Sequence, residues 1–337
     1  MPTKLKVLFI GGTGNISTAC TRYAISLGYE IFQLNRGNSK EKNKDIYNLH
    51  TDINNKIEVK KLLKDLHFDV VVNFIAFDVN DIERDYELFK EKTRQYIFIS
   101  STSAYQKPLQ HPIVTETTHL SNPYWEYSRK KIEAELKLNQ LNRENGFPAT
   151  IVRPSLTYEY VIPVTLGGWK DNTLVNRIKA GKAIVVHGDG SSLWTITHSS
   201  DFAKGLIGLF GNTNAIGQAF HITSDEILTW NQIYESVAEA LNCKAHIVHV
   251  TSDKICEIAE RMRLDSKQGT LLGDKSVSVI FDNSKIKSFV PEFKATIPFR
   301  EGIKKTIEWF EEDPSRYIPN PQNDLFIEEL IRHSQLA

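Results

Sequence analysis

The feature that most constrains this chain is a glycine-rich turn between its first apolar run and its first helical pattern. Val7–Ile10 is followed by Gly11-Gly12-Thr13-Gly14-Asn15-Ile16-Ser17. Glycine permits a tight turn and lets backbone N–H groups approach a phosphate, which then lies at the positive end of the helix. Ser17 stands where a third small residue is usual. The segment predicts a strand–turn–helix unit that binds a pyrophosphate, and a plain glycine-rich turn is the alternative.

Short apolar runs alternate with helical patterns through the first 155 residues. The predicted strands are Leu5–Ile10, Glu30–Leu34, Ile46–His50, Asp69–Ile75, Gln95–Ser100 and Ala149–Arg153, and the predicted helices lie at 16–27, 56–66, 79–92 and 123–145. Strands that are apolar almost without interruption, such as 70–75, are typical of a parallel sheet covered on both faces. The pattern predicts an α/β fold, a doubly wound parallel sheet of the Rossmann type.

The rest of the chain predicts a smaller second domain, since 337 residues suit about two domains. Residues 1–160 plus about 191–223 are expected to bind the nucleotide, and about 161–190 plus 224–312 to form a C-terminal substrate-binding domain. Residues 313–337 form a tail whose helix, Asn323–His333, has an apolar stripe and is expected to dock on its own domain. Asp201 is predicted to cap the helix at 202–210, and His198 to be a buried structural histidine.

Charge and composition exclude several classes of protein. The 41 Lys and Arg residues balance 41 Asp and Glu residues, which argues against a protein that holds nucleic acid through a strong overall positive field. No run of about 18 apolar residues is present, so no membrane partner is expected. Three widely spaced cysteines indicate reduced thiols and a cytoplasmic location. Scattered histidines predict no metal site, and the lysine-rich segment Ser39–Lys44 is expected to be solvated surface.

The second predicted strand ends without the acid that usually holds a ribose 2′-hydroxyl about 20 residues after the glycines. Its last residues are followed by Asn35 and Arg36, which suit a 2′-phosphate because a guanidinium pairs well with phosphate oxygens. NADP is therefore favoured over NAD. Stacking of Arg36 on adenine, or exposure to solvent, is the alternative. Asp52 is predicted either to accept from the adenine amino group or to cap a helix.

Tyr127 and Lys131 lie four residues apart on a predicted helix and therefore share one face. A tyrosine ordinarily has a pKa of about 10, and an adjacent ammonium lowers the pKa enough for acid/base chemistry near neutrality. Upstream, the hydroxyl-rich segment Ser100–Tyr105 ends the fifth strand, where it can orient a substrate oxygen. A solvated helix face has the same spacing. The combination of this tyrosine–lysine spacing with the glycine turn favours an active site.

With these motifs the sequence resembles the NAD(P)-dependent epimerase/dehydratase family of the short-chain dehydrogenase/reductase superfamily. Other matching segments are Val152-Arg153-Pro154, His187–Gly190, Thr197–Asp201 and Phe281–Lys285. The resemblance implies hydride transfer to or from a nicotinamide, with the serine, tyrosine and lysine as acid/base groups. It assigns the catalytic Ser/Thr to Ser101, with Thr102 as the alternative, and implies a homodimer through the helix that carries Tyr127. The predicted cofactor-binding residues are Gly11, Thr13, Gly14, Asn15, Ile16, Asn35, Arg36, Asp52, Ala76, Tyr127, Lys131 and Pro154.

Departures from the family pattern limit the reactions and substrates that are expected. Dehydratases carry an acid pair where this chain has Thr102 and Ser103, so dehydration is disfavoured. The arginine that binds a nucleotide diphosphate is replaced within Ser192–Thr195, which leaves Arg153, Lys170 and Arg177 as substitutes. Three aromatic residues near the expected cleft could pack a sugar ring or belong to the core: Tyr158, Trp169 and Trp194.

The motifs together predict an NAD(P)-dependent epimerase or oxidoreductase. Its expected substrate is a small molecule, a secondary alcohol of a sugar or sugar nucleotide, with no nucleic-acid partner. The alternative is a non-catalytic nucleotide-sensing or RNA-binding protein on the same scaffold.

Overall fold

The computed structural model describes residues 4–37 and 44–334. The predicted surface segment Ser39–Lys44 lies outside the described residues except for Lys44. The first half of the chain contains β1 (Lys6–Ile10), α1 (Ser17–Ser26), β2 (Glu30–Asn35), β3 (Ile46–His50), α2 (Lys56–Leu62), β4 (Phe68–Asn73), α3 (Val79–Phe89), β5 (Thr93–Ile99), β6 (Ile113–Val114), α4 (Glu126–Asn145), β7 (Ala149–Pro154) and β8 (Leu156–Tyr158).

The second half mixes short strands with helices. It contains α5 (Thr173–Lys179), β9 (Ile184–His187), β10 (Leu193–Trp194), β11 (Ile196–His198), α6 (Ser199–Gly208), β12 (Ala219–Ile222), β13 (Leu228–Thr229), α7 (Trp230–Ala240), β14 (Ile247–Val250), α8 (Ser252–Arg261), β15 (Ile280–Phe281), α9 (Ser284–Phe289), α10 (Phe299–Glu312) and α11 (Pro321–Ser334). A π-helical turn covers Leu271–Lys275.

Seven parallel strands form the central sheet, in the order β3-β2-β1-β4-β5-β7-β12. This confirms the predicted doubly wound parallel sheet. The strand order reverses between β1 and β4, and the carboxyl ends of strands at such a reversal form the crevice where sheets of this kind bind ligands. The glycine turn after β1 therefore lies at the expected binding edge.

Alternation of side chains along the strands gives the sheet two buried faces. Val7 and Phe9 of β1 pack in a core with α1, α6 and α9. Leu8 and Ile10 point to the opposite face, where α2, α3 and α4 cover them. Because both faces are covered by helices, each strand must be apolar at successive positions, which explains the uninterrupted apolar runs of the sequence.

The later part of the chain packs as two further cores. One joins α7 and α10 to aromatic side chains that include Trp194 and Phe281. The other joins α8, β9 and β14 to the last helix, α11, whose Phe326 and Leu330 are buried while Leu325 is exposed. The tail helix thus docks on the chain, but through a face rotated away from Leu325. The division into two domains stays a prediction.

The start of α6 differs from the prediction. The helix is capped by His198, whose Nδ1 accepts a hydrogen bond from the Ser200 amide. Asp201, predicted to be the cap, lies inside the first turn, where its carboxylate accepts from the amides of Thr296 and Ile297. Asp201 therefore holds the segment before α10 against α6. His198 is buried, as predicted.

Candidate active site

The glycine turn between β1 and α1 leaves no room for side chains at its first two positions. Gly11 has φ +80°, and a Cβ atom there would lie 2.4 Å from Cγ2 of Ile75. A Cβ atom on Gly12 would lie 2.6 Å from Cδ of Gln33, a buried residue of β2. The backbone can therefore take this path, with its amides at the start of α1, only because glycines stand there. A cradle of this shape fits a dinucleotide pyrophosphate.

Ser17 and Asn15 brace this turn through their side chains. Oγ of Ser17 donates to the Gly11 carbonyl and accepts from the Gly14 amide, both at 2.8 Å. The serine thus does more than substitute for a small residue, a role that the sequence pattern did not indicate. Nδ2 of Asn15 donates to the Thr157 carbonyl at 2.9 Å, and its Oδ1 accepts from the amides of Glu159 and Tyr160. The Asn15 side chain is committed to the protein, which leaves its backbone for a cofactor.

A cavity of about 480 Å³ opens beside the glycine turn. It is lined by Gly11, Thr13, Gly14, Leu34, Asn35, Arg36, Thr51, Asp52, Ile53, Asn54 and Ile75. Arg36 is exposed at its edge, and Asn35 accepts a hydrogen bond from the Gly37 amide. Asp52 lies on the same cavity, and its helix-cap alternative is wrong because Asn55 caps α2. The sequence prediction missed three lining residues after β3, although the carboxyl end of that neighbouring parallel strand was a usable signal: Thr51, Ile53 and Asn54.

The three predicted acid/base residues meet at the carboxyl ends of β4 and β5. Ser101 lies close enough to Tyr127 for its hydroxyl to influence the pKa of the phenol. Nζ of Lys131 lies 5.9 Å from the centroid of the Tyr127 ring and donates to the carbonyls of Ala76 and Ile99 at 2.7 and 2.9 Å. A site that joins a serine, a tyrosine and a lysine in this way can move a proton at a substrate oxygen.

The environment shifts the pKa values of two of these groups. Burial raises the pKa of Tyr127, and the Ser101 hydroxyl acts in the opposite direction. Burial lowers the pKa of Lys131 to about 8, and the carboxylate of Glu135 opposes that shift. Lys131 therefore still carries its charge at neutral pH, next to the tyrosine ring.

Ser101 and Thr102 occupy different positions at this edge. Oγ of Ser101 caps the short 3-10 turn at 102–104 and lies 2.9 Å from Oγ of Ser103, which in turn accepts from Ser128 of α4 at 2.8 Å. Thr102 is buried, and the described residues make no hydrogen bond to its hydroxyl. The geometry favours Ser101 as the hydroxyl that faces Tyr127, and it adds a serine chain that the sequence analysis did not single out.

Two further predicted cofactor residues lie at strand ends. Ala76 follows β4, where its amide donates to Oδ1 of Asn73 at 2.8 Å and its carbonyl accepts from Lys131. Pro154 ends β7 and is buried beside β12. Both are next to the carboxyl edge of the sheet, while Ile16 immediately precedes α1 without a side-chain hydrogen bond that caps the helix.

Two of the three predicted substitutes for a diphosphate-binding arginine are already paired with acids. Arg153 forms a buried ion pair with Glu135 of α4, with Nη2 2.6 Å from Oε2. Arg177 pairs with Asp324 and Glu328 of α11 at 2.6 and 2.8 Å. Lys170 alone is exposed. These two arginines therefore hold the fold together, and the expectation that they bind phosphate is wrong.

Two of the three candidate aromatic residues belong to the core. Tyr158 and Trp194 are buried in the cluster around α7 and α10. Trp169 is 53% exposed and has φ +65°. Of the three, only Trp169 remains free to contact a ligand from the surface.

The family assignment follows from a comparison with protein-family models. The model of the NAD dependent epimerase/dehydratase family matches residues 7–222. This chain belongs to that family. The match begins in β1 and ends with β12, so it covers all seven strands of the central sheet. The family's description is that of NAD-dependent epimerases and dehydratases, which agrees with the family that the sequence motifs resemble.

Curated relatives of this epimerase/dehydratase family member have diverse names. A 41-kDa chloroplast stem-loop binding protein of Arabidopsis thaliana is 25% identical over 249 residues, which cover 70% of this chain and 63% of the plant protein, less than two thirds of its length. The 2′-dehydrokanamycin reductase of Streptomyces kanamyceticus is 24% identical over 257 residues, with coverage of 76% and 72%.

Solved structures of the same fold include nucleotide-sugar enzymes. A dTDP-glucose 4,6-dehydratase from Bacillus anthracis in complex with NAD aligns at a TM-score of 0.72 and 18% identity, over 93% of this chain and 98% of that one. A UDP-glucuronic acid 4-epimerase from Bacillus cereus in complex with UDP-glucuronic acid and NAD aligns at 0.70 and 18%, over 91% and 99%. At these identities the likeness shows the fold.

Residues 4–37 and 44–334 contain neither a membrane-spanning helix nor a metal-binding cluster. No helix in this part of the chain has the length and apolar character needed to span a bilayer. The same residues include no group of three or more His, Cys, Asp or Glu side chains arranged to hold a metal ion.

Proposed function

We propose that this protein interconverts a secondary alcohol of a sugar derivative and the corresponding ketone, with Tyr127 as the general acid/base. The observation that carries the proposal is the meeting of the Ser101 hydroxyl, the Tyr127 ring and the buried ammonium of Lys131 at the carboxyl edge of the sheet. In the oxidising direction, Oη of Tyr127 takes the hydroxyl proton while Ser101 holds the substrate oxygen. In the reducing direction, Tyr127 returns that proton to the oxygen.

Lys131 and the glycine turn complete the proposed machinery. The Lys131 charge favours the phenolate form of Tyr127, because an opposite charge nearby stabilises the ionised state. The backbone amides at Gly11–Gly14 and the side chains of Arg36 and Asp52 would hold the dinucleotide. When bound, its nicotinamide supplies the acceptor or donor of the hydride.

The choice of cofactor and the type of reaction belong to the same proposal. Arg36 and Asn35 at the cavity edge favour NADP over NAD, because the guanidinium can pair with a 2′-phosphate. Thr102 and Ser103 stand where a dehydratase carries its acids, so simple redox chemistry or epimerisation is favoured over dehydration. For epimerisation, the keto intermediate would turn over in the site before the hydride returns to its other face.

The test compares Tyr127→Phe with Tyr124→Phe. Tyr124 is a neighbour that is 41% exposed, so its variant is a matched control. Turnover of a panel of sugar alcohols and ketoses would be followed through the absorbance of reduced nicotinamide. Tyr127→Phe is expected to lower turnover roughly 100-fold or more while nucleotide binding persists, because a general acid/base contributes about that much. Full turnover by Tyr127→Phe would contradict the assignment.

The plant relative named for stem-loop binding supports a second candidate, an RNA-binding protein on this scaffold. A gel shift with a stem-loop RNA at physiological salt separates the two functions. Tight RNA binding by a protein that binds neither NADPH nor NADH would favour the second candidate. Mass spectrometry of nucleotide released on denaturation gives the same distinction without a substrate.

A further inference from the structure

A cluster of lysines lies beside the proposed active site, and the acid/base chemistry does not use it. The lysine cluster consists of Lys107, Asp274 and Lys275 around the indole of Trp194. Lys107 is 4% exposed. Among the described residues, its Nζ makes one hydrogen bond, to the Asp274 carbonyl at 3.3 Å. Lys275 closes the π-helical turn, with Nζ 2.7 Å from Oδ2 of Asp274.

The lysine cluster carries an excess of one positive charge when both lysines are protonated. Lys107 and Lys275 supply two cations and Asp274 one anion. His187 donates from Nε2 to the Lys275 carbonyl at 2.9 Å, and burial lowers the pKa of His187 to about 4, so it is neutral at pH 7. A buried charge without a partner is costly, and such charges are normally paired or contact a ligand.

Hydrogen-bond donors in the cluster also outnumber acceptors. Nε1 of Trp194 is buried and has no hydrogen-bond partner among residues 4–37 and 44–334. The ammonium groups of Lys107 and Lys275 lie 5.7 and 5.9 Å from the same indole ring. Buried donors are usually satisfied, so an indole N–H without a partner, beside two ammonium groups that share one carboxylate, indicates a place for an oxyanion.

The cluster adjoins the acid/base residues through a short chain of contacts. Nδ2 of Asn122 bridges the carbonyls of Ser103 and Gly273 at 2.9 and 2.7 Å. The rings of Trp125 and Tyr127 lie 4.9 Å apart, and Nζ of Lys275 lies 5.8 Å from the Trp125 ring. A group held by the lysines would therefore belong to the same molecule whose alcohol reaches Tyr127.

A cavity of about 470 Å³ opens at the surface between α4 and the segment before the π-helical turn. Tyr127, Trp125 and Gly269 are among the residues that line it. A Cβ atom on Gly269 would lie 2.2 Å from Cδ1 of Trp125, so the segment before the π-helical turn packs directly on this indole. Single π-helical turns are frequent at functional sites. Movement of this segment from Trp125 would open the way to Lys275 and Lys107.

We propose that Lys107, Lys275 and the Trp194 indole N–H bind a carboxylate of the substrate, which makes the substrate an acidic sugar derivative. This inference rests on the proposed function and names its substrate class. A single carboxylate matches the excess of one positive charge, whereas a doubly charged phosphate exceeds it. A neutral hydroxyl would leave the charge of the lysines without a counterion.

The test measures equilibrium binding of D-glucuronate, D-glucose and D-glucose 6-phosphate to the NADPH-saturated protein by calorimetry. Glucuronate is expected to bind at least about tenfold more tightly than glucose, since a charge-assisted hydrogen bond is worth about that much. Lys107→Met should abolish the difference. Lys64→Met, which removes an exposed lysine just after α2, should keep it.

The possible outcomes separate this inference from the proposed function. Equal affinity for glucuronate and glucose, or an unchanged preference in Lys107→Met, would overturn the carboxylate subsite. Tighter binding of glucose 6-phosphate than of glucuronate would also overturn it in favour of a phosphate. If Lys107→Met fails to fold, Lys275→Met serves as the second variant. The same titrations without nucleotide report on the subsite even where the protein binds no NADPH, an outcome that would contradict the proposed function alone.

Discussion

Lys131 serves the candidate site through its hydrogen bonds as well as its charge. Its ammonium ties the Ala76 and Ile99 carbonyls together at the ends of two neighbouring strands. The spacing from Tyr127 was enough to predict that the two residues share a helix face. It could not show that the ammonium also fastens α4 to the sheet, because that contact joins residues far apart in the sequence.

Ser101 and Thr102 are adjacent in the sequence, and the backbone path decides which of their hydroxyl groups faces Tyr127. Both are small hydroxyl residues after β5, so their side-chain chemistry could not separate them. The backbone at Ser101 is still extended, with φ −157° and ψ 145°, and the 3-10 turn begins at the next residue. This change of direction brings the Ser101 hydroxyl to Tyr127, while the Thr102 side chain is buried.

Arg36 gives a prediction about cofactor choice. Arg36→Ala is expected to weaken NADPH binding about tenfold and leave NADH binding unchanged, because one charge-assisted hydrogen bond to the 2′-phosphate is lost. Titration with each nucleotide measures both values. Arg94→Ala, at an exposed arginine paired with Asp69, is the control and should change neither. Equal weakening for both nucleotides would instead indicate that Arg36 stacks on adenine.

Among the elements, the turn between β1 and α1 is the one whose sequence and structure agree most closely. Strand, turn and helix follow within residues 6–26 and need only local interactions to form. The residues that brace the turn were less predictable. The Asn15 side chain binds β8 at Thr157 and the first two residues after that strand, Glu159 and Tyr160, which lie about 140 residues away along the sequence.

Gly11→Ala and Gly28→Ala form a matched pair of substitutions, one before α1 and one after it. Both glycines have φ +80°, so each substitution should cost about 1 kcal/mol of unfolding free energy through backbone strain. No atom lies within 4 Å of a Cβ on Gly28, whereas a Cβ on Gly11 collides with Ile75, which lines the nucleotide cavity. We therefore expect only Gly11→Ala to weaken nucleotide binding as well.

Urea unfolding and nucleotide titration of the two glycine variants provide the measurements. An undiminished nucleotide affinity in Gly11→Ala would mean that Ile75 moves aside freely and that the cavity is not the binding site.

In the whole molecule, two buried histidines should make stability depend on pH. Burial lowers the pKa of His187 and of His198 to about 4, against about 6.5 in an unfolded chain. Between these values the unfolded chain binds more protons than the folded one, so stability is full above pH 6.5 and falls as the pH drops toward 4. Each histidine should remove about 1–2 kcal/mol between pH 7 and pH 5.

Urea unfolding of His187→Asn at pH 7 and pH 5 tests this dependence. The variant should lose about 1–2 kcal/mol less than the wild type over that interval, whatever its stability at pH 7. His50→Asn, at an exposed histidine, should lose as much as the wild type. An equal loss in His187→Asn and the wild type would contradict the role of burial.

The expected homodimer, formed through α4, stays a prediction. The helix presents Leu136, which is 61% exposed, among charged residues such as Glu126 and Arg129, and Lys137 pairs with Glu83 of α3 at 2.8 Å.

Local patterns in the sequence determined the parts of this protein that depend on neighbouring residues. The apolar runs, the glycine turn and the four-residue spacing of Tyr127 and Lys131 predicted the parallel sheet, its binding edge and the acid/base pair. Each of these follows from the backbone geometry of one strand, turn or helix, and the covered sheet follows from strands that are apolar on both faces.

Tertiary packing alone decided which charged and aromatic residues are free to bind a ligand. Arg153 and Arg177 looked like phosphate ligands, but Glu135 and the acids of α11 neutralise them. Lys107 had no local motif, and burial beside Trp194 makes it a candidate ligand. The physical reason is that a side chain's partners come from distant parts of the chain, and they determine whether its charge is already compensated.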